Sequence, residues 1–274
     1  MSFTPVVPFT GFSGWAFLNR TLEAQKAAFA KNPETVRDAA YFREKIGQVT
    51  TAADLVADRR LLKVALGAFG LDADLPNKAF IRRVLEDGTL STGALANRLA
   101  DKRYMELSRA FGFGDYPTPS TQISDFADKI LARYAAKSFE AAVGTQNADL
   151  RLALGARSEL AALAARPGTD DTKWYSILGS KPLRQVFQTA FGLPPSFALV
   201  DVDRQRDVLK QKSGALLDIA SPAGFADPAK VESLIRLFLA RAEAPNAPGA
   251  ASGSAALRLL ATGQAALSRT LGRG

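Results

Sequence analysis

One phrase constrains this chain more than any other feature: a helical stretch that closes on Ala-Phe-Gly, present three times with the same punctuation. The first copy runs from Asp58 through Phe69 and Gly70 to Leu71, the second from Asp101 through Phe111 and Gly112 to Phe113, the third from Ser180 through Phe191 and Gly192 to Leu193. The Phe residues stand 42 and then 80 positions apart, close to one interval and then two. Physically the phrase is a helix stop. A glycine enters the left-handed conformation without steric cost, and the apolar residue after it folds back onto the last turn. The Ala beside each Phe admits a neighbouring helix while the ring fills the adjoining space. Ser221 to Phe238 reads as a degenerate fourth copy.

Elsewhere the apolar residues recur at helical spacing, as in Leu62, Ala65, Leu66 and Phe69, in Phe126, Ile130, Leu131 and Tyr134, and in Val231, Leu234, Ile235 and Phe238. Few stretches alternate as strands do. The expectation is an all-α protein, an array of helix pairs joined by polar or Pro-bearing connectors, in which no pair buries its face alone. Two long helices are expected in the wide central interval, about Ser124 to Val143 and about Asn147 to Ala165, broken at Gly144 and ended by Pro167-Gly168.

Three regions follow: an N-terminal helical segment over 1–48, a helical-repeat core over 49–243, and a linker with a short C-terminal helix over 244–274. The stretch from Ala244 to Ser254 has a flexible linker's composition of Ala, Pro, Gly and Ser. Beyond it Leu257, Leu260, Gln264, Leu267 and Leu271 step by three and four, as do Trp15, Leu18, Leu22, Gln25 and Phe29 near the start. Each is a short heptad seam with a Gln at a core position, a device that fixes register. Two readings stand: amphipathic helices docking on the core, or terminal assembly helices whose Trp15, Leu18, Leu22, Leu260 and Leu267 meet a partner or a second copy.

Chemistry is poorly supplied. The 274 residues contain no His and no Cys, which removes Ser-His-Asp and Cys-His catalysis and the usual zinc ligands. Asp201 to Asp207 begins like a calcium loop, but Arg206 and Lys212 stand where Gly and Glu are needed, so Asp201 or Asp203 is better read as a helix cap. Gly112-Phe113-Gly114 lacks the third glycine of a dinucleotide site, and Gly179-Ser180-Lys181 has the wrong order for a phosphate loop. Ser180 instead caps a helix with Pro182 in its first turn. The adjacent acids Asp170 and Asp171 read as a helix cap as well. No catalytic residue, cofactor or metal ligand is assigned. Trp174 and Tyr175 are aromatic anchors, buried or at an interface with a partner.

The 35 Lys and Arg against 27 Asp and Glu give a net charge of +8. Nucleic-acid binding is disfavoured because the basic pairs, such as Arg59-Arg60 and Arg82-Arg83, lie along helical patterns beside acids. No run is long and apolar enough to span a bilayer. No cleavable secretory signal is recognisable, because the first basic residue, Arg20, follows Trp15, Phe17 and Leu18.

Several phrases occur in a familiar order. They are Tyr41-Phe42 with Ile46, Leu66 to Leu71, Phe80 to Leu85, Arg151 to Leu154, Trp174 to Gly179, Pro182 to Phe187, and Ala190 to Pro194. On these, the stretch from Tyr41 to Leu239 resembles a bacterial domain-of-unknown-function family, number 1217, whose members tend to be encoded among flagellar genes. The resemblance brings no activity and no catalytic residues. It implies a flagellar setting, hence flagellar or other protein partners, and a location in the bacterial cytoplasm or, through flagellar export, in the basal structure. The expected function is a noncatalytic structural or assembly protein of the flagellum acting through helix-mediated protein-protein contacts. The alternatives are a cytoplasmic export adaptor or chaperone and, further off, a basic nucleic-acid-binding regulator.

Overall fold

Each of the three stop glycines takes the left-handed conformation, Gly70 at φ +67°, Gly112 at +70° and Gly192 at +63°. At two of them the backbone closes a Schellman motif. Leu71 N–H donates to the Leu66 carbonyl at 2.9 Å and Gly70 N–H to Gly67 at 3.1 Å, while Leu193 donates to Gln188 at 2.8 Å and Gly192 to Thr189 at 3.0 Å. Gly112 uses the simpler form, a single bond from its N–H to the Ser108 carbonyl at 2.8 Å. The fourth copy is different. Phe238 lies inside a helix that runs on to Glu243, because no glycine follows the ring to supply the stop.

The computed structural model describes residues 2–244, in which thirteen α-helices and five short 3-10 turns occur and no strand does. In chain order the helices are α1 (Gly11–Ala30), α2 (Pro33–Lys45), α3 (Ala52–Ala57), α4 (Arg59–Ala68), α5 (Lys78–Asp87), α6 (Leu95–Arg98) and α7 (Arg103–Phe111). There follow α8 (Phe126–Gly144), α9 (Ala148–Ala165), α10 (Asp170–Gly179), α11 (Lys181–Ala190), α12 (Val202–Leu217) and α13 (Pro228–Glu243). The chain is thus all-α, as its periodicity predicts. Among the described residues no helix is long and apolar enough to cross a membrane. The C-terminal seam with Leu257, Leu260, Gln264, Leu267 and Leu271, and most of the linker before it, lie outside the described residues.

Local chemistry starts the helices. Ser180 accepts from the Leu183 N–H and Asp201 from those of Asp203 and Arg204, so both expected caps are present. Thr169, and neither Asp170 nor Asp171, caps α10; its hydroxyl reaches the Thr172 N–H, and the two acids occupy the first turn, where the helix dipole favours them.

The buried side chains form two clusters. The first contains Phe42 of α2, most of α4, Ile81 and Leu85 of α5, Phe111 of α7, and Phe126, Ile130, Leu131 and Tyr134 from the start of α8. The second contains Trp15, Leu18 and Leu22 of α1, Phe139 and Val143 from the end of α8, and the apolar faces of α9 to α13. Helix α8 therefore threads both. The pairs do not stack strictly in chain order, since α1 lies against α13, α9 and α8. Residues 1–48 accordingly divide: α1 joins the second cluster and α2 the first. Trp15 is fully enclosed and its indole N–H donates to Glu232 Oε2 at 2.9 Å, which ties α1 to α13.

The N-terminal seam is thus a docking face. Gln25, expected to set register with another helix, instead pins the extended N-terminal segment. Its Oε1 accepts from the Val6 N–H at 2.7 Å and its Nε2 donates to the Val6 carbonyl at 3.1 Å. Glycine is also required where the α5 and α7 ends meet: a Cβ on Gly114 would lie 2.3 Å from the Glu86 carbonyl oxygen. That close approach, and no nucleotide, accounts for the Gly112-Phe113-Gly114 phrase.

Candidate functional site

Where the two clusters meet, α4, α7, α8, α9 and α10 leave a cavity of about 550 Å³. Its apolar lining includes Phe69, Met105, Ala136, Ala162, Leu163 and Leu183. The spacing of charges on α8 builds one wall, since Arg133, Lys137 and Glu140 step by four and three and share a face. Helix α9 answers with Glu159, Ala162 and Arg166 at the same steps.

At one end Lys137 bridges two carboxylates, donating to Glu140 Oε2 at 2.9 Å and to Glu159 Oε1 at 2.8 Å. Ser180 Oγ donates to Glu159 Oε2 at 3.1 Å, and the single Ser158 hydroxyl proton is shared between the Gly155 carbonyl at 3.1 Å and Glu140 Oε1 at 3.3 Å. Burial favours the neutral amine, but the charges of Glu159 and Glu140 and their hydrogen bonds outweigh it and hold Lys137 above the ordinary lysine value. The group is fixed as a cation.

The opposite end is basic. Glu106 of α7 accepts from Arg133 Nη2 at 3.3 Å and from Arg166 Nη2 at 2.8 Å, so one carboxylate serves two guanidinium groups. Arg133 also lies 4.2 Å over the Phe69 ring. Nearby, Arg103 is clamped by Asp101, with Nε to Oδ1 at 3.0 Å and Nη2 to Oδ2 at 2.6 Å, and donates through Nη1 to the Gly70 carbonyl. Burial opposes its charge, but Asp101 more than compensates and its pKa is raised. Through Arg103 the first helix stop positions the start of α7.

Of the residues singled out by sequence, Phe69 lines the cavity and Gly70 anchors its wall. Phe111 belongs to the first cluster with Gly112 ending its helix, and Phe191 packs edge-on against Phe187 in the second. The candidate partner contacts Trp15, Leu18 and Leu22 are buried, as is Trp174, and all four pack in the second cluster. Tyr175 sits at the cavity edge, where its hydroxyl donates to Asp203 and accepts from Arg206 Nη1 at 2.6 Å. Leu260 and Leu267 lie outside the described residues. Sequence reasoning missed Lys137, Glu159, Glu106 and Arg166; the i, i+4 and i, i+3 charge spacing on α8 and α9 was the available signal for all but Glu106, which lies on α7. Among the described residues no three acidic groups gather as a metal site.

Fold and cavity define a class: an all-helical protein with two joined cores and a charged recess between them. The chain belongs to the family described as a protein of unknown function, DUF1217, which matches residues 68–231, more than half of its length. It is also similar to the crystal structure of protein AGR_C_984 from Agrobacterium tumefaciens, with 28% identity and a TM-score of 0.71 over 89% of this chain and 100% of that one. No curated protein matches it.

Proposed function

We propose that this protein is a noncatalytic structural or assembly component of the bacterial flagellum that works through helix-mediated contacts with protein partners. The observation that carries the contact reading lies just after the third helix stop. Leu199 is 88% exposed, and Val200 and Val202 stand open beside it at the start of α12. Three exposed apolar side chains thus fall within four residues, whereas apolar residues scattered singly over a surface are ordinary. The noncatalytic reading comes from the absence of His and Cys in the sequence, which removes the commonest bases and nucleophiles. The flagellar setting comes from the family resemblance.

Deleting the gene is expected to impair swimming or filament assembly, and a tagged copy is expected to co-purify with detergent-extracted basal bodies. Leu199→Asp with Val202→Asp should abolish that co-purification without lowering the melting temperature. A deletion strain that assembles flagella and swims normally overturns the proposal. A tagged protein that remains dispersed in the cytoplasm while the deletion blocks assembly would point to the export-adaptor role instead.

A further inference from the structure

The cavity has a second compartment that the contact role does not use. A smaller recess of about 270 Å³ adjoins it, lined by Glu106, Arg109, Ala110, Arg133 and Arg166, and the two spaces share Glu106, Arg133 and Arg166 as walls. Three guanidinium groups therefore line the recess beside one carboxylate, Glu106, while Asp115 lies within reach of the Arg109 charge. Among the described residues Arg109 makes no ion pair within bonding distance, and its side-chain hydrogen bond is a long, weak one from Nη2 to Met105 Sδ at 3.9 Å. Arg133 and Arg166 each spend a single nitrogen on Glu106 and keep about half of their side-chain surface exposed, 45% and 48%. Donors thus remain at the mouth, already oriented by Glu106 and by the Phe69 ring.

We propose that this joined recess binds a small organic anion, with an apolar body in the larger cavity and an acidic group, carboxylate or phosphate, on Arg109, Arg133 and Arg166. A volume near 550 Å³ lies within the range of about 300–1,000 Å³ typical of small-molecule pockets, and a mainly apolar lining with a few convergent polar groups is their usual make-up. The uncommitted donors set the orientation. At the inner end the cations are already committed, Lys137 to Glu140 and Glu159, Arg103 to Asp101, and Lys102 to the Asn97 and Leu99 carbonyls. An anionic group is drawn to the arginines at the mouth, where planar forks suit carboxylate and phosphate oxygens. This site uses none of Leu199, Val200 and Val202, so its failure leaves the contact role untouched.

The test is a fluorescence titration of the full chain with 1-anilinonaphthalene-8-sulfonate, an apolar body bearing one anionic group, beside its uncharged relative N-phenyl-1-naphthylamine. The expected result is saturable one-to-one binding of the sulfonate that weakens with salt. The combined variant Arg133→Ala, Arg166→Ala and Glu106→Gln, which strands no carboxylate, should weaken it at least tenfold while changing binding of the uncharged probe less than twofold. Ala162→Trp, which fills the cavity, should abolish binding of both probes at unchanged circular dichroism. Displacement by dodecanoate at lower concentration than by dodecyl phosphate assigns a carboxylate, and the reverse order a phosphate. No saturable binding to the native chain, equal sulfonate affinity in the arginine variant, unaltered binding in Ala162→Trp, or displacement by neither amphiphile overturns the proposal.

Discussion

A single backbone angle explains the recurrence of glycine after each Ala-Phe. At Gly70 a Cβ would have room, its nearest neighbour being Arg103 Nη1 at 3.5 Å, so the requirement is conformational and not steric crowding. Gly70→Ala is therefore expected to cost about 1–2 kcal/mol from the left-handed conformation, and Gly70→Asn less, measured by urea unfolding. Lys137 makes a different demand. Replacing it with Gln strands Glu140 and Glu159 in a largely buried site and should cost about 3 kcal/mol at neutral pH. Its folded-state pKa is raised, so the stabilisation is complete below the ordinary lysine value of about 10.4 and is lost as pH climbs through the folded value. The gap between native protein and K137Q should accordingly narrow above about pH 10.4, and a constant gap across alkaline pH would contradict the bridging role.

At the scale of elements, α1 shows how periodicity informs and where it stops. Its seam was legible because Trp15, Leu18 and Leu22 repeat at helical steps, and an apolar stripe must be covered by something. What covers it was not legible: the partners are α8, α9 and α13, more than a hundred residues away in sequence. Gln25 was readable as a polar residue on that stripe, but its acceptor and donor are the backbone of Val6, which no side-chain pattern records. The helix stops and the Ser180 and Asp201 caps could be read for the opposite reason, since each is made within six residues of chain. The charged recess could not, because Glu106, Lys137, Glu159 and Ser180 meet only after four helices have packed. Docking of α1 makes its own forecast. Trp15→Ala removes a fully enclosed ring and should cost about 3–5 kcal/mol in denaturant unfolding. A loss under 1 kcal/mol would mean that α1 is not seated against α13.

For the molecule as a whole, the distribution of fluorophores offers a direct test of how the two cores are joined. Both tryptophans, Trp15 and Trp174, belong to the second cluster, while Tyr41, Tyr104 and Tyr134 belong to or pack against the first. Emission excited at 295 nm therefore reports on one half alone, whereas far-ultraviolet circular dichroism reports on every helix. With α8 embedded in both, the two signals should trace one coincident transition in urea. Separate midpoints would show that the halves melt independently.

Helix α8 also works as a camshaft. Phe126, Ile130, Leu131 and Tyr134 are one set of cams and Phe139 and Val143 the other, keyed to the same rod. Each residue advances a helix by about 100°, so one alanine inserted between Tyr134 and Phe139 would swing the second set out of phase with its seat while leaving every side chain in place. Inserting a whole number of turns would restore the phase but push the halves apart along the rod. In this span the count of residues is thus under tighter control than the identity of Ala135 or Ser138, and evolution there is expected to trade letters while keeping length.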